Sequence, residues 1–206
     1  DEGAFLYRRH DVPAANRASP GAERLYRGCG GLCREGHCGR SVPQSGHRGG
    51  SIWGRFGFSD VLTLFLSMDS HVELYKGGVI PLEEFASMKY DRDILVRLIV
   101  KKTPGAFVYR AMRSQRTDLP VIACALSRLE GEYRAVVGAR PSRAMIIRDR
   151  NRLLREGLTE NGVKAFADYT AESAPTGSNA RAGAAYRTHL IRVLTERNLL
   201  ELGGML

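Results

Sequence analysis

Gly49-Gly50-Ser51-Ile52-Trp53-Gly54-Arg55-Phe56-Gly57-Phe58-Ser59-Asp60 marks the point where the chain changes character. Up to Arg48 the sequence is rich in Arg, Gly, Ser, Pro and Cys and contains no Lys, Ile or Met. It holds no sustained apolar periodicity, so it is expected to add no packed face. Beyond Arg48 the texture is that of an ordinary globular protein. Within the block, Gly49 and Gly50 lack a Cβ, so a ligand can approach their backbone closely. Successive N–H groups of that kind form an anion nest suited to a pyrophosphate. A helix starting near Asp60 adds a partial positive end in the same neighbourhood, and the Asp60 carboxylate can accept hydrogen bonds from ligand hydroxyls. Glycine pairs also serve simply as turns, so these residues alone leave both roles open.

The elements that follow alternate in type. Ser59 to Met68 reads as a short buried helix with Ser59 as its N-cap. Val72 to Tyr75 alternates like a strand and runs into a Lys76-Gly77-Gly78 turn. Pro81 to Phe85 reads as one helical turn with proline in its first position. Asp93 to Val100 is dense in β-branched residues and reads as a strand, and Lys101 to Gly105 as a linker. Three further strands are predicted over Ala106–Met112, Val121–Leu129 and Tyr133–Gly138, the last two joined by a hairpin at Glu130-Gly131-Glu132, with a fourth near Arg143–Ile147. The end is helical. Glu160 to Glu172 carries Val163, Phe166, Ala167 and Thr170 on one face, and Arg181 to Leu200 carries Ala185, Leu190, Val193, Leu194 and Leu199. The fold class is α+β in two units, about 49–103 and 104–206, preceded by an atypical segment 1–48.

The chain has 206 residues, 43% of them hydrophobic, and a formal charge of +9. A basic balance invites a nucleic-acid-binding reading, or a surface kept soluble or facing an anionic partner. The Arg residues form no patch or helix stripe, so no nucleic acid is expected as a partner. No apolar run approaches the roughly 20 residues that cross a bilayer, and the first residues lack the apolar core of a signal peptide. The expectation is a cytoplasmic protein with no membrane partner. Cys29, Cys33, Cys38 and His37 crowd together, but their spacing lacks the paired Cys-x2-Cys knuckles of structural zinc sites, and no metal is assigned to them. No Ser/His/Asp set or carboxylate pair stands out, so no catalytic residue is assigned.

Three blocks carry a resemblance. Gly49-Gly50-Ser51-Ile52 followed by Ser59-Asp60 resembles the Gly-Gly-Asn/Ser-Ile/Leu…Ser-Asp block of the FAD-binding subunits of molybdenum hydroxylases, the family of xanthine dehydrogenase and carbon monoxide dehydrogenase. Tyr109-Arg110, Arg113 and Asp118-Leu119-Pro120 resemble its Lys…Arg…Asp-Ile/Leu-Ala/Pro signature. Thr176 to Arg197, with Arg181-Ala182-Gly183-Ala184-Ala185-Tyr186-Arg187, is similar to its closing Arg-Ala-Ser-Ala-Glu-Tyr-Arg helix. The resemblance covers about residues 49–204. It implies the second subdomain of a flavin-binding domain over 49–103, then a flavoprotein C-terminal domain over 104–206: an antiparallel sheet with a helical bundle.

The function implied is FAD-mediated electron transfer. Electrons would come from iron–sulfur clusters and a molybdopterin-binding subunit and pass to NAD or another acceptor. The resemblance implies that Gly49, Gly50, Ser51 and Ile52 meet the FAD diphosphate and adjoining groups, that Ser59 and Asp60 hold cofactor hydroxyls, and that Ile94 and Leu95 pack against flavin or adenine. Arg110 stands where the family has a flavin-contacting Lys. Read from the residues alone, Arg110 is a solvated strand residue, and Ile94 and Leu95 are core. Phe56 and Phe58 are core or cleft wall, Tyr186 and Arg187 packing residues, and His189 a surface or packing residue. The competing function is a non-enzymatic basic nucleic-acid-binding or scaffold module.

Ahead of Gly49, family members carry Arg-Asn-x-Gly-Thr-Val/Ile, where this chain has Ser41-Val42-Pro43-Gln44-Ser45-Gly46-His47-Arg48. With the codons AGC GTC CCG CAA TCA GGG CAC CGT for those residues, the string read from its second nucleotide gives Ala-Ser-Arg-Asn-Gln-Gly-Thr. The expectation is that residues up to about Arg48 are translated out of frame and that a first FAD subdomain is missing, which would weaken FAD binding and leave the purified protein nearly colourless. On that view the cysteine cluster is an accident of frame. Sequencing the gene tests this directly: codons incompatible with the shifted reading would end it.

Overall fold

A computed structural model describes residues 4–8, 48–115 and 117–204, with residues 4–8, 48 and 49 described at the level of the backbone. The Cys29, Cys33, Cys38 and His37 cluster and Ser41–His47 lie outside the described residues. In chain order the elements are β1 (Ala4–Arg8), α1 (Arg48–Trp53), α2 (Asp60–Leu66), β2 (Ser70–Leu74), β3 (Gly78–Pro81), α3 (Leu82–Ser87), β4 (Leu95–Lys101), β5 (Gly105–Met112), β6 (Ile122–Leu129), β7 (Glu132–Gly138), β8 (Met145–Arg148), α4 (Glu160–Ser173) and α5 (Ala184–Leu202). The strands form two antiparallel sheets, β1-β4-β2-β3 and β5-β6-β7-β8, so the fold is α+β.

Local chemistry explains most of these boundaries. Ser59 is the N-cap of α2, its hydroxyl oxygen accepting from the Leu62 N–H at 3.1 Å. The β2–β3 turn is braced by Asp93, whose carboxylate accepts from the N–H groups of Lys76 at 2.9 Å and Gly77 at 2.8 Å. Gly78 sits there at φ +67°, a conformation that costs a residue without a Cβ little. The β6–β7 hairpin turns on two residues, Glu130 at φ +50° and Gly131 at φ +87°, one fewer than the sequence suggested, because Glu132 already pairs with Leu129. Pro81 caps α3 rather than opening it.

The meander β5–β8 lies between two layers. One face carries Phe107, Tyr109, Ala123, Ala125 and Val136, packed with Ile52, Leu62, Phe65, Phe85 and Leu98 of the first lobe. The other face carries Ile122, Cys124, Leu126, Ala135 and Val137 under α4 and α5. On α4 the four expected residues Val163, Phe166, Ala167 and Thr170 are all buried. On α5 the buried stripe is Arg187, Leu190, Ile191, Leu194, Thr195, Asn198 and Leu199. Two residues expected in that stripe fall outside it: Ala185 is exposed in the first turn, and Val193 is half-buried. The polar members are accommodated by specific partners, Asn198 donating to the Cys124 carbonyl at 3.1 Å and Thr195 lying 3.6 Å from the Cys124 thiol. The other departure is β1, which pairs with β4 in the register Ala4↔Lys101 to Arg8↔Arg97 although no strand was expected so early.

The two lobes meet where no side chain fits. A Cβ on Gly57 would lie 1.8 Å from the Ser142 carbonyl oxygen, and one on Gly138 2.2 Å from Thr63 Oγ1. The first of these is a clash with backbone, which no side-chain rotation can relieve. Gly57→Ala is therefore expected to destabilise the fold by about 1–3 kcal/mol, lowering Tm by roughly 2–4 °C per kcal/mol. Gly50→Ala, where a methyl would meet nothing within 4 Å, should leave Tm unchanged or higher. Calorimetry of both variants checks this; equal melting of Gly57→Ala and wild type would contradict the close approach.

Candidate functional site

The segment 49–60 is not the open glycine loop that the sequence suggested. Arg48–Trp53 forms a short helix, and neither Gly49 nor Gly50 has a positive φ. Ile52 is wholly buried in the first core and so anchors the segment. Gly50 is exposed and faces open space. Ser51 is half-buried. After α1 the chain is held by Arg55, a residue to which the sequence pattern assigned no role. Arg55 adopts φ +46° and is 2% exposed. Its guanidinium lies 3.9 Å from the Phe85 ring centre, 5.1 Å from Tyr90 and 5.4 Å from Trp53, and donates to the Lys89 carbonyl at 3.1 Å. Burial lowers its pKa, but an aromatic cage of this kind favours the cation. Tyr90 donates its hydroxyl to the Gly54 carbonyl, closing the loop. Phe56 and Phe58 stack with centroids 5.2 Å apart and remain 50% and 43% exposed, neither core nor fully covered.

Asp60 opens α2, where the helix dipole favours a carboxylate. Both of its oxygens are engaged from the second sheet. The Tyr109 hydroxyl donates to Oδ1, and Arg113 Nη2 donates to Oδ2 at 2.6 Å. The Asp60 and Arg113 side chains are only 15% and 12% exposed. Arg113 also donates to the Asp118 carbonyl at 2.7 Å, and the Asp118 carboxylate lies 3.5 Å from Arg181 Nη2. The Arg181 N–H in turn donates to Asn179 Oδ1, which also accepts from the buried Arg187 at 2.7 Å. The three sequence blocks, far apart in the chain, thus converge on one polar network.

The remaining site candidates divide. Ile94 is 51% exposed, whereas Leu95 is 5% exposed and belongs to the core. The Ser59 hydroxyl is committed to its cap. Arg110 alternates with Tyr109 on β5 and faces away from Asp60, toward the helices, where it pairs with Glu201 at 2.7 Å. Arg110 thus lies apart from Asp60, and the cation beside Asp60 is Arg113, three residues on. Cys124 is wholly buried and its thiol is pushed up to about 11 by desolvation, which leaves it unreactive. Among the described residues no group of three His, Cys, Asp or Glu side chains is placed to hold a metal. No helix among them is long and apolar enough to cross a membrane.

This fold recurs in carbon monoxide dehydrogenase. A chain of the enzyme from Hydrogenophaga pseudoflava, in a form that lacks the Mo-pyranopterin moiety of the molybdenum cofactor, matches with a TM-score of 0.84 over 100% of this chain and 77% of its own, at 17% identity. A chain of quinoline 2-oxidoreductase from Pseudomonas putida 86 matches at 0.76, with 16% identity and coverage of 99% and 77%. Reconstituted CO dehydrogenase from Oligotropha carboxidovorans matches at 0.77, with 12% identity and coverage of 100% and 77%. At these identities the likeness is one of fold. It reaches beyond the 49–204 span of the sequence motifs. No family model matches the sequence, and no curated protein does.

The Asp60 network is expected to hold the lobes together energetically as well as geometrically. Asp60→Ala leaves Arg113 largely buried without its counter-ion and should cost about 3–5 kcal/mol. Tyr109→Phe removes one hydrogen bond to a charged group, about 1.5–3 kcal/mol. In denaturant melts the double variant should lose less than the sum, since both changes delete the same bond. Strict additivity would separate Tyr109 from Asp60.

Proposed function

We propose that this chain is the FAD-binding, electron-transfer subunit of a molybdenum-containing hydroxylase or dehydrogenase, working with iron–sulfur and molybdopterin-binding subunits and delivering electrons to NAD or another acceptor. The observation that carries this reading is the convergence of the three sequence blocks on the Asp60–Arg113–Asp118–Arg181 network, within a fold shared with carbon monoxide dehydrogenase. In this reading the first sheet, with α1 and α2, is the second subdomain of a flavin-binding domain. The meander with α4 and α5 is the C-terminal domain.

FAD, when bound, supplies the redox chemistry; the protein supplies position and electrostatics. The residues present fit such a guest. Gly49 and Gly50 would offer backbone N–H groups, and the open space at Gly50 leaves room for a diphosphate. Ser51 would add a hydroxyl. Asp60, already oriented by Tyr109 and Arg113, keeps lone pairs on both oxygens for ligand hydroxyls. Ile94, with the stacked Phe56 and Phe58, presents exposed apolar surface of the kind that covers a flat ring. Ile52 and Leu95 support these contacts from the core, and Ser59 sets the start of α2. Arg110, bound to Glu201, falls outside this contact set. No side chain is asked to act as acid, base or nucleophile.

Titration of the purified chain with FAD, followed by flavin fluorescence, tests the reading. Saturable quenching is expected, and Gly50→Val should weaken it by roughly tenfold, about 1.4 kcal/mol, while Tm stays unchanged because the new side chain meets nothing in the fold. Absence of saturable quenching, or equal affinity of the Val variant, would overturn it. A chain that serves only as a scaffold would co-purify with partner subunits and leave flavin fluorescence untouched.

A further inference from the structure

At the far end of α2 from Asp60 the two lobes leave a cavity of about 260 Å³. Leu66 and Met68 border it, so it lies about 10 Å along the helix from the proposed cofactor site. Its polar wall comes from both lobes: Asp69, Ser70, His71 and Lys101 from the first, with Glu83 from α3, and Arg134 and Arg148 from the second sheet.

Charge is unbalanced in this cavity. Arg134 and Arg148 stand directly opposite each other on β7 and β8, hence on the same face. Like charges directly across a sheet are destabilising. Glu83 neutralises Arg148 through a bidentate pair, Nη1 to Oε1 at 2.9 Å and Nη2 to Oε2. Lys101 faces Asp69 at 3.7 Å. The Arg134 side chain makes no hydrogen bond or close ion pair with any described residue; burial and Arg148 lower its pKa, while Glu83, Asp69 and Glu132 act the other way. Two neutral polar atoms are likewise unsatisfied. Ser70 is 6% exposed and its Oγ has no partner. His71 Nδ1 is buried without a hydrogen bond, 3.6 Å from Asp69 Oδ1. The Arg134 guanidinium and the Ser70 hydroxyl thus lack acceptors among the described residues, whereas His71, next to Ser70 on β2, projects to the other face and has Asp69 beside it.

We propose that this cavity binds a small oxyanion, the phosphate or carboxylate group of a small metabolite, with Arg134 as its principal partner, Ser70 as an additional donor and His71 at its edge. The volume falls below the roughly 300–1,000 Å³ of drug-sized ligand pockets, so the guest is small. An anion here relieves the Arg134–Arg148 repulsion and completes the hydrogen bonding of the wall. The inference does not rest on the flavin reading.

Isothermal titration with inorganic phosphate, at ionic strength held constant with chloride, is the test. One phosphate per chain is expected. Arg134→Gln should weaken binding by roughly tenfold or more, while its Tm without phosphate equals or exceeds that of wild type, because a like-charge pair is removed. Arg197→Gln, an exposed arginine on α5, should bind as wild type does. A parallel titration with glycerol phosphate separates sources: tighter binding assigns the site to a phosphomonoester, equal binding to the free ion. If Arg134→Gln fails to fold, the His71 ring resonance of the wild type, assigned with His71→Gln, should shift saturably with phosphate. No saturable binding, equal loss in the Arg134 and Arg197 variants, or resonance shifts that spare His71 would each overturn the proposal.

Discussion

The carboxylate of Asp60 is the constraint on which the arrangement of the lobes depends. It stands at the start of α2, where the helix dipole favours it, and receives Tyr109 and Arg113 from the neighbouring sheet. A charge this little exposed is tolerable only if it is paired and fully hydrogen-bonded. Pairing it fixes the distance and rotation of α2 against β5. The backbone contact between Gly57 and Ala139, and the absence of side chains at Gly57 and Gly138, follow from that docking. The same docking sets the two ends of α2 to different tasks. The N-terminal end carries the paired Asp60 carboxylate beside the exposed Phe58, and the C-terminal end closes on the charged cavity around Arg134.

The parts of this fold that could be read in the sequence are those whose chemistry is local. The meander strands alternate and are punctuated by turn residues; α2 has its Ser59 cap; α4 carries an uninterrupted apolar face. What escaped the sequence depends on distant partners. In α5 the buried stripe includes Arg187, Thr195 and Asn198, and a hydrophobicity pattern passes over such residues because Gly177, Asn179 and Cys124, which satisfy them, lie on other elements. The short helix at Gly49–Gly50 was masked by the low helix propensity of glycine; burial of Ile52 holds it in place. Arg55 could not be recognised because its three aromatic neighbours are scattered over residues 53–90.

The site was legible to a similar degree. Asp60 was identified from its place beside Ser59, and Gly50 from its pairing with Gly49. Within the second block, Arg110 was singled out by the resemblance, whereas the cation that meets Asp60 is Arg113. A strand presents successive side chains to opposite faces, so Tyr109 and Arg110 cannot both reach Asp60. Tyr109 faces the first lobe with Phe107, and Arg110 is thereby committed to the helical side. Arg113, beyond the end of β5, escapes that alternation and folds back. The period-2 rule, applied to the burial of Phe107, would have placed Arg110 on the helical side from the sequence.

The basic composition that first suggested a polyanionic partner has a use inside the fold. Arg143 Nη1 donates to the carbonyls of Ala86, Ser87 and Met88 at the end of α3. Arg140 donates to Arg143 and Pro175, Arg55 to Lys89, Arg113 to Asp118 and Arg187 to Gly177. Each reaches a main-chain oxygen that no neighbouring strand or turn of helix supplies with a donor. A planar guanidinium with five N–H groups can do this while stacking on an aromatic ring or pairing with a carboxylate, and a lysine ammonium cannot match that geometry. Part of the positive charge is therefore used in bracing irregular backbone within the fold. Against that background Arg134 stands apart: it is cationic, faces a cavity, and braces nothing within the described fold.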